Sequence, residues 1–251
     1  MLDPRAASGF TSAVDYARTR PTYPGAAWDV LSGELSLCGD TIAVDLAAGT
    51  GQVAAALRDR VGAVIAVEPV AEMRAELARR LAEVAVVGGV AEALPLADES
   101  VDAVVVGEAF HWFDVAVAAG EIGRVLRPGG GLGLLWNVAT WTEQDTPWLG
   151  AFRALVAHHK QAAGPYPAGD GQWRRRLERT EVFERLRDVA TEHRQRLQPA
   201  DFLTQVCSWS WVANLPTAVR ERLVNDIEAL VHEEHEIDVP YRTDVYWARR
   251  R

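Results

Sequence analysis

The fold of this chain is decided by the stretch Val44-Asp45-Leu46-Ala47-Ala48-Gly49-Thr50-Gly51. Residues 41–46 are apolar and rich in β-branched side chains, which predicts a short buried strand. Residues 52–58 follow it with the composition of a helix. Because Gly49 and Gly51 carry no Cβ, the turn between strand and helix can bring its backbone close to a ligand. The first N–H groups of the helix lack partners within it and can face that ligand. The stretch therefore predicts a site for a nucleotide or nucleoside.

The composition of the 251-residue chain limits its fold and function classes. The length allows one large domain, or one domain with a substantial insertion. Two cysteines argue against a disulfide framework or a cysteine-rich metal site, and we predict no metal. The net charge of −9 disfavours nucleic acid as a partner. No apolar run is long enough to span a membrane, and the first residues do not resemble a signal peptide. We therefore expect a soluble cytoplasmic protein, and the arginine and alanine bias indicates a GC-rich bacterial genome.

Two classes of cofactor are compatible with the glycine turn. Residues 49–54 fit G-x-G-x-x-A, a form of the dinucleotide fingerprint, although the same pattern also occurs in tight turns that bind nothing. The next predicted strand, residues 63–67, is followed by Glu68. A carboxylate at this position can accept hydrogen bonds from both hydroxyls of a ribose. Because NAD and S-adenosylmethionine (SAM) both contain a ribose, Glu68 does not distinguish between them.

Further along the chain, apolar segments and turn residues predict the rest of a sheet. The predicted strands are residues 84–87, 101–106, 131–136, 189–197 and 240–248. Helical spacing predicts helices between most of them. Such alternation is typical of an α/β protein with a parallel sheet. In these sheets the carboxyl ends of the central strands face the ligand.

Four segments carry a resemblance to a known family. Asp45 and the glycines after it resemble motif I of the class I SAM-dependent methyltransferases. Residues 88–96 are similar to the family's Gly-Asp-Ala-Glu-x-Leu-Pro segment, and residues 107–114 to the run of type-11 methyltransferases that ends in His-Trp-Phe-Asp. The segment before the first strand resembles the leader of small-molecule methyltransferases, including the trans-aconitate methyltransferase-like group.

The resemblance implies a fold and a division of the chain. The implied fold is a Rossmann-like, doubly wound α/β sheet of seven strands, whose last strand is antiparallel and lies at the sheet edge, with a mostly helical cap. Residues 1–40 are expected to form an N-terminal cap over the cleft, and residues 41–136 the SAM-binding core. Residues 137–182 are expected to be a helical insertion, and residues 183–251 to complete the sheet with helices.

The same resemblance implies the residues of the cofactor site. Asp45 is expected to orient either the methionine ammonium or the turn itself. Val90 stands where the family often has an aspartate for the adenine amino group. Glu92 either compensates for that lost contact or is solvated, and both readings stay open. The predicted cofactor-binding residues are Asp45, Ala47, Gly49, Thr50, Gly51, Glu68, Pro69, Val90, Ala91, Glu92 and Glu108.

The acceptor site is expected around the His-Trp-Phe-Asp run. His111 is the candidate general base because its reference pKa lies near neutrality, and the alternative is a ring that only shapes the pocket. Tyr16 and Arg20 either hold a carboxylate of the acceptor or pack as part of a surface leader. The predicted substrate-binding residues are Tyr16, Arg20, His111, Trp112, Trp136 and Trp209.

Together these observations predict a SAM-dependent methyltransferase. It would move the methyl group to an O, N or C nucleophile of a small aromatic or carboxylic acid acceptor and release S-adenosylhomocysteine. One alternative is an NAD(P)-dependent oxidoreductase, which has no counterpart to residues 91–96 and 110–114. The other is a non-catalytic SAM-fold binding protein, which Val90 faintly favours. The sequence predicts neither the acceptor's identity nor the oligomeric state.

Overall fold

A computed structural model describes residues 12–141, 147–163 and 171–251. The strands are β1 Ile42–Leu46, β2 Ala63–Val67, β3 Ala85–Val87, β4 Val101–Gly107, β5 Leu126–Ala139, β6 Arg187–Leu197 and β7 Ile237–Arg249. The helices are α1 Ala13–Thr19, α2 Gly25–Leu35, α3 Gln52–Leu57, α4 Ala71–Arg80, α5 Val115–Val125, α6 Pro147–Ala162, α7 Gln172–Glu178, α8 Pro199–Cys207, α9 Ser210–Ala213 and α10 Thr217–Val231, with a 3₁₀ turn at Phe110–Trp112. No helix in these ranges is long and apolar enough to cross a bilayer.

The strands form one seven-stranded sheet in the order β3-β2-β1-β4-β5-β7-β6. Strands β1 to β5 pair in parallel, and β7 runs antiparallel to both β5 and β6. This confirms the doubly wound sheet with an antiparallel last strand. The expectation that this strand lies at the sheet edge is wrong, because β7 is inserted between β5 and β6 and leaves β6 at the edge.

Strand β5 and the segment before α2 differ from their predicted structure. Strand β5 was expected to end at Trp136, but it continues to Ala139, where it pairs with Tyr241 of β7. The segment expected as a helical insertion therefore begins as strand and becomes helical in α6 and α7. Helix α1 was not predicted at all. Its N-terminal Ser12 caps Asp15 N–H, and residues 1–11 of the expected N-terminal cap lie outside the described residues.

Apolar side chains cover both faces of the sheet. On one face the clustered residues include Trp28 of α2, Leu57 of α3 and Leu77 of α4. On the other face they include Ile122 of α5 and Leu177 of α7. Burial of these side chains is the main favourable contribution to folding, at roughly 25 cal/mol per Å² of apolar area. The helices are thereby held against the sheet on either side of its carboxyl edge.

A third apolar cluster forms a cap at one end of the sheet. It joins Trp141, Phe152 of α6 and Phe202 of α8, whose rings contact one another at centroid distances of 4.9 to 5.6 Å. The first half of β7 belongs to this cluster through Val239, whereas Val245 in its second half packs beneath α2. The same strand therefore supports both the cap and the sheet core.

Helix α1 connects the glycine turn to the cap. Gln52 Nε2, at the start of α3, donates to the Ala17 carbonyl at 2.9 Å. At the other end, the Thr19 carbonyl accepts from Gln195 Nε2 of β6 at 3.1 Å and from Gln205 Nε2 of α8 at 2.6 Å. These contacts hold α1 across the carboxyl edge of the sheet.

Candidate functional site

A cavity of about 780 Å³ lies at the carboxyl edge of the sheet, between α1 and the cap. This is the edge at which doubly wound sheets bind their ligands. With the exception of Gly51, every residue predicted to contact cofactor or substrate lines it. Its wall includes the glycine turn and the end of β2, together with aromatic side chains from β5, β7 and the cap.

Asp45 organises the glycine turn from within the sheet. It is 1% exposed, and its Oδ2 accepts the Ala54 N–H near the start of α3 at 2.8 Å. Burial raises the pKa of the Asp45 carboxyl to about 7, although the Ala54 N–H opposes this shift and the charge of Glu68 adds to it. This hydrogen bond ties the start of α3 to β1 across the glycine turn, and the carboxyl also lies in the wall of the cavity.

The two glycines of the turn have different surroundings. Gly49 has a φ of +54°, and a Cβ placed on it would have no atom within 4 Å. Gly51 has a φ of +87°, and a Cβ there would lie 2.9 Å from Leu77 Cγ and 3.0 Å from Leu81 Cδ1. Gly51 therefore permits close packing of the turn on α4. Gly51 does not line the cavity, and its contact with the cofactor stays a prediction.

The hydroxyl of Thr50 is buried without a partner. Its Oγ1 makes no hydrogen bond with any residue that the structure describes, although Thr50 lines the cavity. Leaving a buried hydroxyl unpaired costs about 1–3 kcal/mol, so such groups are rare in folded proteins. Together with the open space over Gly49, Thr50 Oγ1 offers a polar contact to a ligand in the turn.

Glu68 joins the end of β2 to the glycine turn. Its Oε2 accepts the Gly49 N–H and its Oε1 the Val70 N–H, each at 2.8 Å. Burial raises the pKa of the Glu68 carboxyl, while these N–H groups and the charge of Arg74 act to lower it. Each oxygen keeps a lone pair beyond the bond it already accepts. The carboxyl lines the cavity and can therefore accept a pair of ligand hydroxyls.

The segment after β3 is held by its own contacts. Ala93 N–H donates to the Val90 carbonyl at 3.1 Å, and the two residues form an isolated bridge. Glu92 Oε1 accepts the Asp114 N–H at 3.0 Å. Glu92 thus ties this segment to the end of the His-Trp-Phe-Asp run. The apolar Val90 side chain and the Ala91 backbone remain in the cavity wall.

His111 is bound to a neighbouring indole. Trp136 Nε1–H donates to His111 Nδ1 at 3.2 Å. This contact assigns the proton of the neutral ring to Nε2, so that Nε2 is a donor and Nδ1 is an occupied acceptor. Burial also lowers the pKa of His111 to about 4. In this arrangement the ring can donate a hydrogen bond from Nε2 but is a weak proton acceptor.

The far end of the cavity has an aromatic wall. Trp136 stacks on Trp173 of α7 with ring centroids 4.7 Å apart, and both rings meet Tyr246 of β7 edge-on. Trp209 reaches the cavity from the cap. Trp173 and Tyr246 were not among the predicted substrate residues. Alternate residues of a strand share a face, so Tyr246 lies on the same face of β7 as Asp244, which also lines the cavity. This alternation is the signal by which Tyr246 could have been predicted.

Arg20 and Glu108 are two residues of the cavity wall whose charges act on each other. The Arg20 guanidinium carbon lies 4.7 Å from the centre of the Tyr16 ring. Glu108, directly after β4, has a φ of +58°, which is uncommon for a residue with a side chain. Its N–H donates to the Leu135 carbonyl at 2.9 Å and its Oε1 accepts the Asn137 N–H. Burial raises the pKa of the Glu108 carboxyl to about 7, against the opposing effect of the Arg20 charge.

Comparison with known proteins assigns this chain to a family. Residues 44–134 match the model of the Methyltransferase domain family. An uncharacterized methyltransferase of Mycobacterium tuberculosis is 35% identical over 223 residues, which cover 88% of this chain and 85% of that protein. A solved structure from Anaeromyxobacter dehalogenans shares the fold, with a TM-score of 0.67 at 21% identity over 92% of this chain and 97% of that one.

A geranyl diphosphate methyltransferase in complex with SAM has the same fold, with a TM-score of 0.51 at 17% identity over 90% of this chain and 85% of that one. The family match and the relative at 35% identity decide against the NAD(P)-dependent oxidoreductase and the non-catalytic alternatives. The glycine turn, the acid at the end of β2 and the sheet order all agree with them. The chain belongs to the Methyltransferase domain family and is a class I SAM-dependent methyltransferase.

Proposed function

We propose that this methyltransferase acts on a small acceptor with a flat apolar body and an acidic group. The single observation that carries the proposal is the aromatic wall of Trp136, Trp173 and Tyr246, which shares one cavity with the glycine turn and with Arg20. A planar acceptor gains both apolar burial and favourable ring contacts against such a wall. The cavity volume of about 780 Å³ is sufficient for a cofactor and a small molecule together.

The residues around the turn fit SAM. Gly49 leaves room for the methionine end, the unpaired Thr50 hydroxyl offers it a hydrogen bond, and the Asp45 carboxyl complements its positive charge. Glu68 accepts from the ribose, and Val90 packs against the adenine. SAM supplies a methyl group already activated on a sulfonium. The protein's part is therefore to align the acceptor and to exclude water.

The acceptor is held by the groups beyond the turn. The Arg20 side chain contacts Tyr16 and interacts electrostatically with Glu108, but it forms no ion pair with a carboxylate of the described residues, so its guanidinium can also bind an acidic acceptor. The His111 Nε2–H can donate to an oxygen of the acceptor, because Trp136 already occupies Nδ1. Burial of both ligands under the cap strengthens these polar contacts, since the effective dielectric constant falls when water is excluded.

The acceptor class is tested by methyl transfer from radiolabelled SAM to matched compounds. We expect 4-hydroxybenzoate to be methylated faster than 4-hydroxybenzyl alcohol, which lacks the carboxylate, and faster than trans-aconitate, which lacks the ring. Arg20→Gln should remove most of the preference for the acid by raising its KM. Equal rates for the acid and the alcohol, or a preference for trans-aconitate, would contradict the proposed acceptor class.

Glu68→Gln is expected to weaken S-adenosylhomocysteine binding about 100-fold. The change keeps the size of the side chain but loses two charge-assisted hydrogen bonds, each contributing about 1.5 kcal/mol. Calorimetric titration with S-adenosylhomocysteine, and with NAD as a non-cognate nucleotide, measures the effect. Glu83→Gln is the matched control, because Glu83 is exposed and pairs only with Arg58 among the described residues. Unchanged affinity in Glu68→Gln would show that the ribose is held elsewhere.

Thr50→Val should change stability and affinity in opposite directions. Removing an unpaired buried hydroxyl is expected to leave the unfolding free energy of the ligand-free protein unchanged or raised by about 1 kcal/mol. The same change removes a contact to the cofactor, and S-adenosylhomocysteine affinity should fall about fivefold. Urea denaturation and calorimetry measure the two quantities on one preparation. A destabilised variant with normal affinity would mean that the hydroxyl serves the protein and not the ligand.

A further inference from the structure

Glu108 is a carboxyl group held in place from several sides. It follows Gly107 at the end of β4, and its left-handed backbone directs the chain away from the sheet at this point. The Asn137 N–H fixes Oε1. Asn137 is itself fixed, since its Nδ2 donates to the Thr22 carbonyl at 3.3 Å and its Oδ1 accepts from Thr243 Oγ1 at 2.6 Å. Oε2 of Glu108 accepts no hydrogen bond from any described residue, and the side chain lines the cavity.

The surroundings of Glu108 differ from those of His111. The acceptor nitrogen of His111 is occupied by Trp136, and its other nitrogen carries the proton. A base must present a free lone pair within hydrogen-bonding reach of the proton that it removes. Of His111 and Glu108, only Glu108 has an acceptor atom, Oε2, whose lone pairs are free of hydrogen bonds from the described residues.

We propose that Glu108, and not His111, receives the proton that the acceptor loses on methylation. It follows that the methyl-accepting atom belongs to a phenol, an alcohol, an amine or an acidic C–H group, and not to a carboxylate, which has no proton to lose. This inference rests on the proposed function, because it concerns the acceptor end of the same cavity.

The step conserves atoms and charge. A lone pair of the acceptor atom, or the electron pair of its breaking C–H bond, forms the new bond to the methyl carbon. The carbon–sulfur bond breaks, and its electron pair stays on the sulfur. The acceptor proton moves to Oε2 of Glu108, which becomes a neutral carboxylic acid and later loses the proton to solvent. The positive charge of the cofactor and the negative charge of Glu108 are thus both removed in the step.

Charged and titratable neighbours from several elements act on Glu108. Arg20, after α1, favours the carboxylate form, and Asp244 of β7 favours the protonated form. Tyr23 and Tyr241 also face this carboxyl, and burial and the Glu108 charge both raise their own pKa values. The pKa of Glu108, raised to about 7, suits a base that must accept a proton near neutrality and release it again.

The test compares wild type with Glu108→Gln and with His111→Asn, which keeps an acceptor for Trp136 Nε1–H. Calorimetry measures S-adenosylhomocysteine affinity, and carbon-13 NMR of δ-labelled glutamate follows the Glu108 carboxyl, identified by its loss in Glu108→Gln. Methyl transfer to 4-hydroxybenzoate and to an amine and a 1,3-diketone acceptor is followed from pH 5 to 9. We expect Glu108→Gln to bind S-adenosylhomocysteine within threefold of wild type. Its saturated transfer rate should fall at least 100-fold, the usual range for loss of a general base.

The pH profiles and the NMR signal separate the alternatives. The wild-type rate should fall below about pH 7 with the same midpoint as the Glu108 carboxyl signal, and His111→Asn should keep this dependence at a lower rate. Glu108→Gln should lose it. A tenfold loss of S-adenosylhomocysteine affinity in Glu108→Gln with a normal saturated rate would make Glu108 a cofactor ligand and overturn the inference. A pH dependence lost only in His111→Asn would overturn it in favour of the histidine.

The failure of this inference can be told apart from failure of the proposed function. Wild type that binds S-adenosylhomocysteine but methylates only the carboxylate of an acceptor, or none of the acceptors with a dissociable proton, would overturn the role of Glu108 and leave the cofactor site intact. A preference for 4-hydroxybenzyl alcohol over 4-hydroxybenzoate, with the rate loss in Glu108→Gln still present, would overturn the proposed acceptor class and leave the role of Glu108 intact.

Discussion

Gly51→Ala is expected to lower the free energy of unfolding by about 3 kcal/mol. Alanine at a φ of +87° adopts a backbone conformation that costs about 1–2 kcal/mol. Its Cβ would also lie 2.9 Å from Leu77 Cγ and 3.0 Å from Leu81 Cδ1, and overpacking of this kind typically costs another 1–3 kcal/mol. Urea denaturation of the ligand-free protein measures the loss.

Gly49→Ala is the matched control for that prediction. It too has a positive φ, but a Cβ there would have no neighbour within 4 Å, so only the backbone cost of about 1 kcal/mol is expected. The added methyl group would instead occupy space in the cavity, and S-adenosylhomocysteine affinity should fall at least tenfold. Equal destabilisation by the two substitutions would contradict the different packing of the two glycines.

SAM affinity is expected to rise about tenfold between pH 6 and pH 8. The pKa of Asp45 is about 7 in the ligand-free protein, so this carboxyl is mostly protonated at pH 6 and mostly ionised at pH 8. The positive charge of the cofactor favours the ionised form. Binding therefore releases a proton and strengthens as the pH rises through 7. Calorimetry in buffers of different ionisation enthalpy measures both the affinity and the number of protons released.

Asp45→Asn is the variant that checks this cause. It should bind SAM more weakly at pH 8 and should lose most of the pH dependence. Glu108 titrates in the same range, so Glu108→Gln is measured beside it and should retain the part of the dependence that belongs to Asp45. His111, with a pKa lowered to about 4, contributes nothing between pH 6 and 8. Affinity that falls with rising pH would contradict the role of Asp45.

The cofactor half of the molecule could be predicted because its signals are local. The strand, the glycine turn and the helix of residues 41–58 are consecutive, and the acid that faces the turn follows the very next strand. Local patterns could not separate Gly49 from Gly51, which differ only in what α4 places beside them. Local patterns also left two roles open for Asp45, because its contact to the Ala54 N–H depends on how closely α3 approaches β1.

The acceptor half was harder to predict because its contacts join distant parts of the chain. The His111 ring is paired with Trp136, which comes from the next strand of the sheet. The left-handed backbone of Glu108 could not be predicted from residue type, because such a conformation is usually found at glycine or asparagine. The aromatic wall depends on the insertion of β7 between β5 and β6, and the sequence suggested a strand at the sheet edge.

The division of β7 between two apolar clusters has an evolutionary consequence. The match to the family model ends at residue 134, within β5, and does not extend to β7. Val239 and its neighbours face the cap, whereas Val245 belongs to the sheet core. The cap can therefore diverge through substitutions in the first half of the strand, while the second half keeps the sheet core unchanged.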